Sequence, residues 1–154
     1  MITVFNNIIS EKHCDEFIKY YEENVDKIIK TRNDLVYRYD GIYITDKLNL
    51  FGFTNKFSKN EILKIRIQHV DNTINMLETP HGHSTKYNFV AFLNDNFNGG
   101  ELIFDNISIK PQKGQLIYFT GNEQHCVKNV INGNRYSLIG MSMSHIDILK
   151  SSLL

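Results

Sequence analysis

The chain has 154 residues with 17 Lys+Arg against 17 Asp+Glu, so its net charge is zero and it holds no general attraction for nucleic acid or an anionic membrane. That length is expected to make a single domain, 1–154, and the 42% hydrophobic and 22% charged content is that of an ordinary globular protein. No apolar run reaches the ~18–20 residues of a membrane span and no leader precedes the first element, so the expected compartment is cytoplasmic.

In chain order, Ile2-Thr3-Val4-Phe5 reads as a short strand and Asn6-Asn7 as a turn. Ser10 can cap a helix whose inward face is Cys14, Phe17, Ile18, Tyr21, Val25, Ile28 and Ile29, helical spacing over about five turns. Cys14 is a small buried hydrophobe in that pattern, and with Cys126 it makes no disulfide framework. Leu35 to Ile44 is rich in β-formers and tyrosine, and reads as strand or ordered loop. From Ile62 the texture turns to short strands: Leu63–Gln68, Ile74–Leu77, Lys86–Asn94, Glu101–Phe104, Ile107–Lys110, Gln115–Phe119, Cys126–Val130 and Arg135–Met143. Their spacing, with turns at Asn94-Asp95, Gly99-Gly100 and Asn132-Gly133-Asn134, predicts a mainly β fold: a double-stranded β-helix, or jelly roll, with an N-terminal buttressing helix.

His81 and His83 stand at i and i+2, so a strand would point both to one face, and neutral imidazole is a common ligand for iron, copper, nickel and zinc. His125 on a later strand can close a metal set with them; the bland alternative is three surface or core histidines. His13 reads as a surface residue of the first helix turn, and His69 and His145 as structural. Arg135 follows His125 by ten residues, with Ser137 on the same strand face. Its planar fork can hold the distal carboxylate of a dicarboxylic acid that chelates the metal, or it can form a strand-edge salt bridge.

Residues 80–140 resemble the Fe(II)/2-oxoglutarate-dependent dioxygenases, in particular the prolyl 4-hydroxylase-like branch. The likeness rests on Pro80-His81, Tyr87-Asn88-Phe89-Val90, Leu93-Asn94-Asp95, Gly99-Gly100-Glu101-Leu102-Ile103-Phe104, Lys110-Pro111-Gln112-Lys113-Gly114, His125 and Arg135-Tyr136-Ser137-Leu138. Val4 to Ser10, leading into the helix, resembles the family's opening strand and helix. The resemblance implies Fe(II), 2-oxoglutarate and O2 as cofactor and cosubstrates, with His81 and His125 on the metal and Arg135 with Ser137 on the cosubstrate's C5 carboxylate. It implies hydroxylation of an aliphatic C–H of a peptide or amino acid, a peptidyl proline above all, and neither a nucleic-acid nor a membrane partner. The Tyr37–Phe53 region and residues 69–80 are where specificity elements are expected.

Three residues depart from the family pattern. His83 stands where a carboxylate ligand is usual, so the set His81, His83, His125 carries no ligand charge. Phe92 occupies a cosubstrate-contact position where related hydroxylases often have Tyr, and Met141 stands where Trp is common. Two other readings therefore stay open: a cupin-type three-His dioxygenase that does not use 2-oxoglutarate, and a jelly roll that binds metal or carboxylate without turnover.

Overall fold

The computed structural model describes residues 1–32, 38–47, 64–76 and 78–145. Strand β1 (Ile2–Phe5) leads to helix α1 (Glu11–Glu23), where the Ser10 side chain accepts a hydrogen bond from the His13 amide as the N-cap. The helix ends earlier than its apolar spacing predicts. Asn24 donates its side-chain amide back to the Tyr20 carbonyl at 2.7 Å, a short 3-10 turn follows, and β-branched Ile29 opens strand β2 (Ile29–Thr31). Val25 and Ile29 consequently lie at the surface, not on the inward helix face.

Strands β3 (Tyr39–Tyr43), β4 (Lys64–Asp71), β5 (Tyr87–Phe92), β6 (Asn98–Gly99), β7 (Leu102–Phe104), β8 (Ile107–Ile109), β9 (Leu116–Thr120), β10 (His125–Val127), β11 (Val130–Asn132) and β12 (Asn134–Ser142) follow. They form a seven-stranded antiparallel sheet in the order β1-β9-β5-β12-β4-β3-β2, a three-stranded sheet β10-β7-β8, and the pair β11-β6. This is the expected double-stranded β-helix with its helical buttress, although the sheets face one another without closing into a barrel. Two expectations shift. Residues 74–76, expected to be in a strand, instead follow a turn in which the Asp71 carboxylate accepts from the Thr73 amide at 2.9 Å and Ile74 folds back to the Asp71 carbonyl at 3.1 Å. The segment expected as one strand over Cys126–Val130 divides into β10 and β11, which pair with different partners. Leu63, Leu77, Tyr37 and residues 48–53 lie outside the described residues.

Alternation through the large sheet sorts side chains into two layers. Ile65, Ile67, Phe89, Ala91, Leu93, Leu116, Tyr118 and Leu138 face α1 and enclose Cys14, Phe17 and Tyr21. Val90, Phe92, Ile117, Phe119 and Ile139 face the smaller sheet and meet Leu102 and Phe104. The residues between, Arg66, Gln68, Asn88, Arg135 and Ser137, belong to that second face and are all buried. Both cysteines are free and buried. Among the described residues, no helix is long and apolar enough to cross a membrane.

Phe17 is fully buried in the layer under α1, so Phe17→Ala is expected to lower unfolding free energy by about 3–5 kcal/mol. Ser10→Ala removes only a cap and should cost about 1 kcal/mol. Urea unfolding of the two variants checks the ranking; equal losses would place the fold's stability elsewhere.

Candidate metal centre and carboxylate pocket

His81 and His125 are directly opposite one another in an isolated antiparallel bridge, each amide donating to the other's carbonyl at 2.9 Å. His83 donates its amide to the Gly121 carbonyl at 3.0 Å. Gly121 is where this approach demands glycine: a Cβ there would lie 2.0 Å from the Thr85 carbonyl oxygen and 2.8 Å from that of His83. Main-chain pairing therefore brings together the three histidines that the sequence separates by up to 44 positions, and their ligand atoms all lie within 4.8 Å of one another.

The geometry suits a cation. The Nε2 atoms of His83 and His125 are 3.1 Å apart, and two imidazole nitrogens bound at right angles to one metal at about 2.1 Å would be about 3 Å apart. His125 Nδ1 lies 3.1 Å from the Glu123 carbonyl oxygen, which accepts its proton and leaves the Nε2 lone pair for a metal. Burial, reinforced by the neighbouring imidazoles and Arg66, pushes the His83 pKa down to about 3. Burial also takes His125 down to about 4, despite the opposing Glu123 carbonyl. Both rings are thus neutral near pH 7, the form that ligates. Phe119 and Phe104 wall the His125 ring at centroid distances of 4.8 and 5.5 Å.

Arg135 lies deeper in the same cavity. It is 1% exposed; its Nε donates to the Gly100 carbonyl at 3.0 Å and its Nη1 to the Ser137 hydroxyl at 3.2 Å. Its Nη2 is buried with no hydrogen-bond partner, and no salt bridge reaches Arg135 among the described residues. Burial lowers its pKa to about 10 against the opposing field of Glu101, so the guanidinium remains charged. An unpaired buried charge is costly, and a carboxylate ligand is the group that would satisfy it. Gly100 forms the floor: at φ +71° it lets its carbonyl face Arg135, and a Cβ would lie 2.8 Å from Arg135 Cδ. The tight Gly99-Gly100 turn expected from the sequence is thus part of the pocket. Phe92 presents its ring face to the guanidinium at 5.4 Å and supplies no hydroxyl.

The cavity has about 50 Å³ of accessible volume. Its lining joins His81, His83, His125 and Arg135 to Arg66, Gln68 and Asn88, which the sequence alone did not single out. Strict alternation in β4 divides its residues between two faces without saying which face meets a ligand; only the burial of both faces marks Arg66 and Gln68 as interior. His69 and His145 stay structural: His69 contacts Asn134 Oδ1 at 2.9 Å, and His145 contacts the Tyr118 hydroxyl at 3.1 Å.

The depressed histidine pKa values fix a pH dependence. Unfolded histidine takes its proton near pH 6.5, whereas folded His83 and His125 resist until about 3 and about 4, so below pH 6.5 the unfolded chain binds more protons. Stability of the metal-free protein should hold above pH 6.5 and decline from there toward pH 4. Thermal midpoints at pH 7.5 and 5 test this, and His83→Gln should flatten the decline. In the pocket, Gly100→Ala should displace Arg135 and weaken binding of a dicarboxylate by tenfold or more, read by calorimetry.

Residues 65–142 match the family model described as the 2OG-Fe(II) oxygenase superfamily. No curated protein matches the sequence. Among solved structures, a viral collagen prolyl hydroxylase from Paramecium bursaria Chlorella virus-1 is similar with a TM-score of 0.65 at 14% identity, over 91% of this chain and 93% of that one. A prolyl-4-hydroxylase of Pseudomonas putida gives a TM-score of 0.66 at 13% identity, over 91% and 90% of the two chains. A Trichoplax adhaerens prolyl hydroxylase, solved with a hypoxia inducible factor peptide, gives 0.68 at 14% identity over 98% and 87%. These likenesses establish a shared fold, and the sequence match covers half of the chain. The chain therefore belongs to the 2-oxoglutarate- and Fe(II)-dependent oxygenases and is an oxidoreductase that uses Fe(II), 2-oxoglutarate and O2.

Proposed function

We propose that this oxygenase hydroxylates an aliphatic C–H of a peptide or amino acid, a prolyl residue being the first candidate, at a three-histidine centre of His81, His83 and His125. The observation that carries the reading is the Arg135 guanidinium, buried with an unpartnered Nη2 in the same cavity as the three imidazoles. In this reading Arg135 and Ser137 receive the C5 carboxylate of 2-oxoglutarate and the Phe92 ring packs beside it. Bound iron and cosubstrate supply the oxidising power, 2-oxoglutarate being decarboxylated to succinate as O2 is consumed.

The chain's own residues orient and exclude. Arg135 fixes the far end of the cosubstrate through a fork already aimed by Gly100 and Ser137, so little ordering remains to be done on binding. Glu123 holds the His125 tautomer. Phe104 and Phe119 keep bulk water from the imidazoles. His83 leaves the ligand set without charge, a departure from the two-histidine, one-carboxylate pattern that distinguishes this centre. The prolyl candidate draws its support from the likeness to prolyl hydroxylases. The cytoplasm, where unpaired thiols such as Cys14 and Cys126 persist, is the proposed setting.

An anaerobic titration of metal-free protein with Fe(II) and then 2-oxoglutarate should raise the visible charge-transfer band of a chelated cosubstrate. Arg135→Ala should retain the metal and weaken 2-oxoglutarate by one to two orders of magnitude, roughly the worth of charge-assisted hydrogen bonds. His125→Ala should abolish metal binding. If iron binds and no band forms, the cosubstrate role of this pocket is wrong. His83→Asp is expected to lower succinate formation; a rise would identify a decayed two-histidine, one-carboxylate site.

A further inference from the structure

We infer that Asn88 is a positioning residue for the metal centre: acting through Thr85, it fixes the loop that presents His83. This rests on the three-histidine reading proposed above and adds to it a residue outside the ligand set.

His83 takes its place from the main chain more than His125 does. His125 is set by the Glu123 carbonyl at its Nδ1 and by the rings of Phe104 and Phe119, at 5.5 and 4.8 Å. His83 Nδ1 has no such carbonyl among the described residues, and the Phe119 ring is farther from it, at 6.3 Å. An imidazole without an orienting bond on its second nitrogen relies on the backbone that carries it. Here that backbone is the loop 82–86, between the His81–His125 bridge and β5.

Asn88 ties this loop down. It is 1% exposed and stands on the cavity side of β5, between Phe119 of β9 and Met141 of β12. A carboxamide among apolar neighbours is costly to bury unless its polar atoms are bonded. Both are, and to one residue. Thr85 Oγ1 donates to Asn88 Oδ1 at 2.6 Å, and Asn88 Nδ2 donates to the Thr85 carbonyl at 3.2 Å. A carbonyl only accepts, so turning the amide over would set oxygen against oxygen. The orientation is unique.

From Thr85 the constraint reaches His83 in two steps. The Thr85 carbonyl lies against Gly121, where a Cβ would be 2.0 Å from its oxygen. Gly121 in turn accepts from the His83 amide at 3.0 Å and donates to the Lys86 carbonyl at 2.9 Å. A shift of Thr85 toward Gly121 therefore displaces the glycine or opens those bonds. Either moves His83 relative to His125, whose Nε2 is 3.1 Å from its own. Metal–ligand distances hold to about 0.2 Å, so a few tenths of an ångström weaken the third ligand.

The test titrates metal-free protein with Fe(II), anaerobically and by calorimetry, and with Co(II), whose visible absorption reports the ligand set. N88A and T85V should each weaken Fe(II) by about tenfold to a hundredfold and change the Co(II) spectrum. T85S keeps the hydroxyl and should match the parent. The loss must run through His83, so in an H83A background N88A and T85V should weaken the metal no further. If N88A does not fold, T85V, at a half-buried position, carries the same comparison. Parent-like affinity in T85V, a loss in T85S equal to that in T85V, or an undiminished loss in the H83A background would overturn the assignment. H83A binding metal as tightly as the parent would overturn the three-histidine reading itself, and this inference with it.

Discussion

Strand β12 pairs on both sides, with β4 from Asn134 to Met141 and with β5 from Ser137 to Ser142, and this double pairing sets where Arg135, Arg66, Gln68 and Asn88 stand. A central strand cannot slip by one residue without exchanging its two faces. Here one face carries Leu138 into the layer under α1, and the other carries Arg135, Ser137 and Ile139 toward the smaller sheet. Register thus puts a charged residue inside the protein, and the hydrophobic layers on either side keep it there. Helix α1 packs on the opposite face, and by covering the sheet's back it stabilises the register on which the front depends.

The electrostatic character of the cavity follows from what is missing as much as from what is present. An interior arginine is rare unless paired, and the Nη2 of Arg135 is buried with no hydrogen-bond partner. Burial keeps the His83 and His125 imidazoles neutral near pH 7, and the buried Arg135 guanidinium is a positive charge that an incoming anion can balance. Affinity for anions is therefore built into the empty fold before chemistry begins.

Much of this was legible in the residues. Alternating apolar runs located the strands, Ser10 located the helix start, and the order His81, His83, His125, Arg135 picked out residues that the fold brings into one cavity, because period-2 spacing and residue chemistry act locally. What escaped was set by non-local or competing local forces. Asn24 returning to the Tyr20 carbonyl stops α1 before its apolar stripe runs out. The Asp71 side chain captures the backbone of Thr73 and turns a stretch whose composition suits a strand. β11 leaves β10 to pair with β6, a choice decided by a partner some thirty residues away in sequence. Arg66 was hidden for a related reason: an arginine at an alternating position ordinarily faces water, whereas here it is buried with the Tyr39 ring packed on its guanidinium.

The loop that carries His83 is anchored by main-chain bonds, joined by side-chain bonds between Thr85 and Asn88. The His83 amide reaches Gly121, the Gly121 amide reaches the Lys86 carbonyl, and the close contact with the Thr85 carbonyl leaves no room for a side chain at 121. None of these bonds involves the imidazole of His83. The backbone at this position was therefore not built by the side chain it presents, and residues of different charge can be exchanged there with the scaffold intact. In evolutionary terms residue 83 is a replaceable part on a fixed mount, so a lineage can vary the charge at this position without first inventing a new fold.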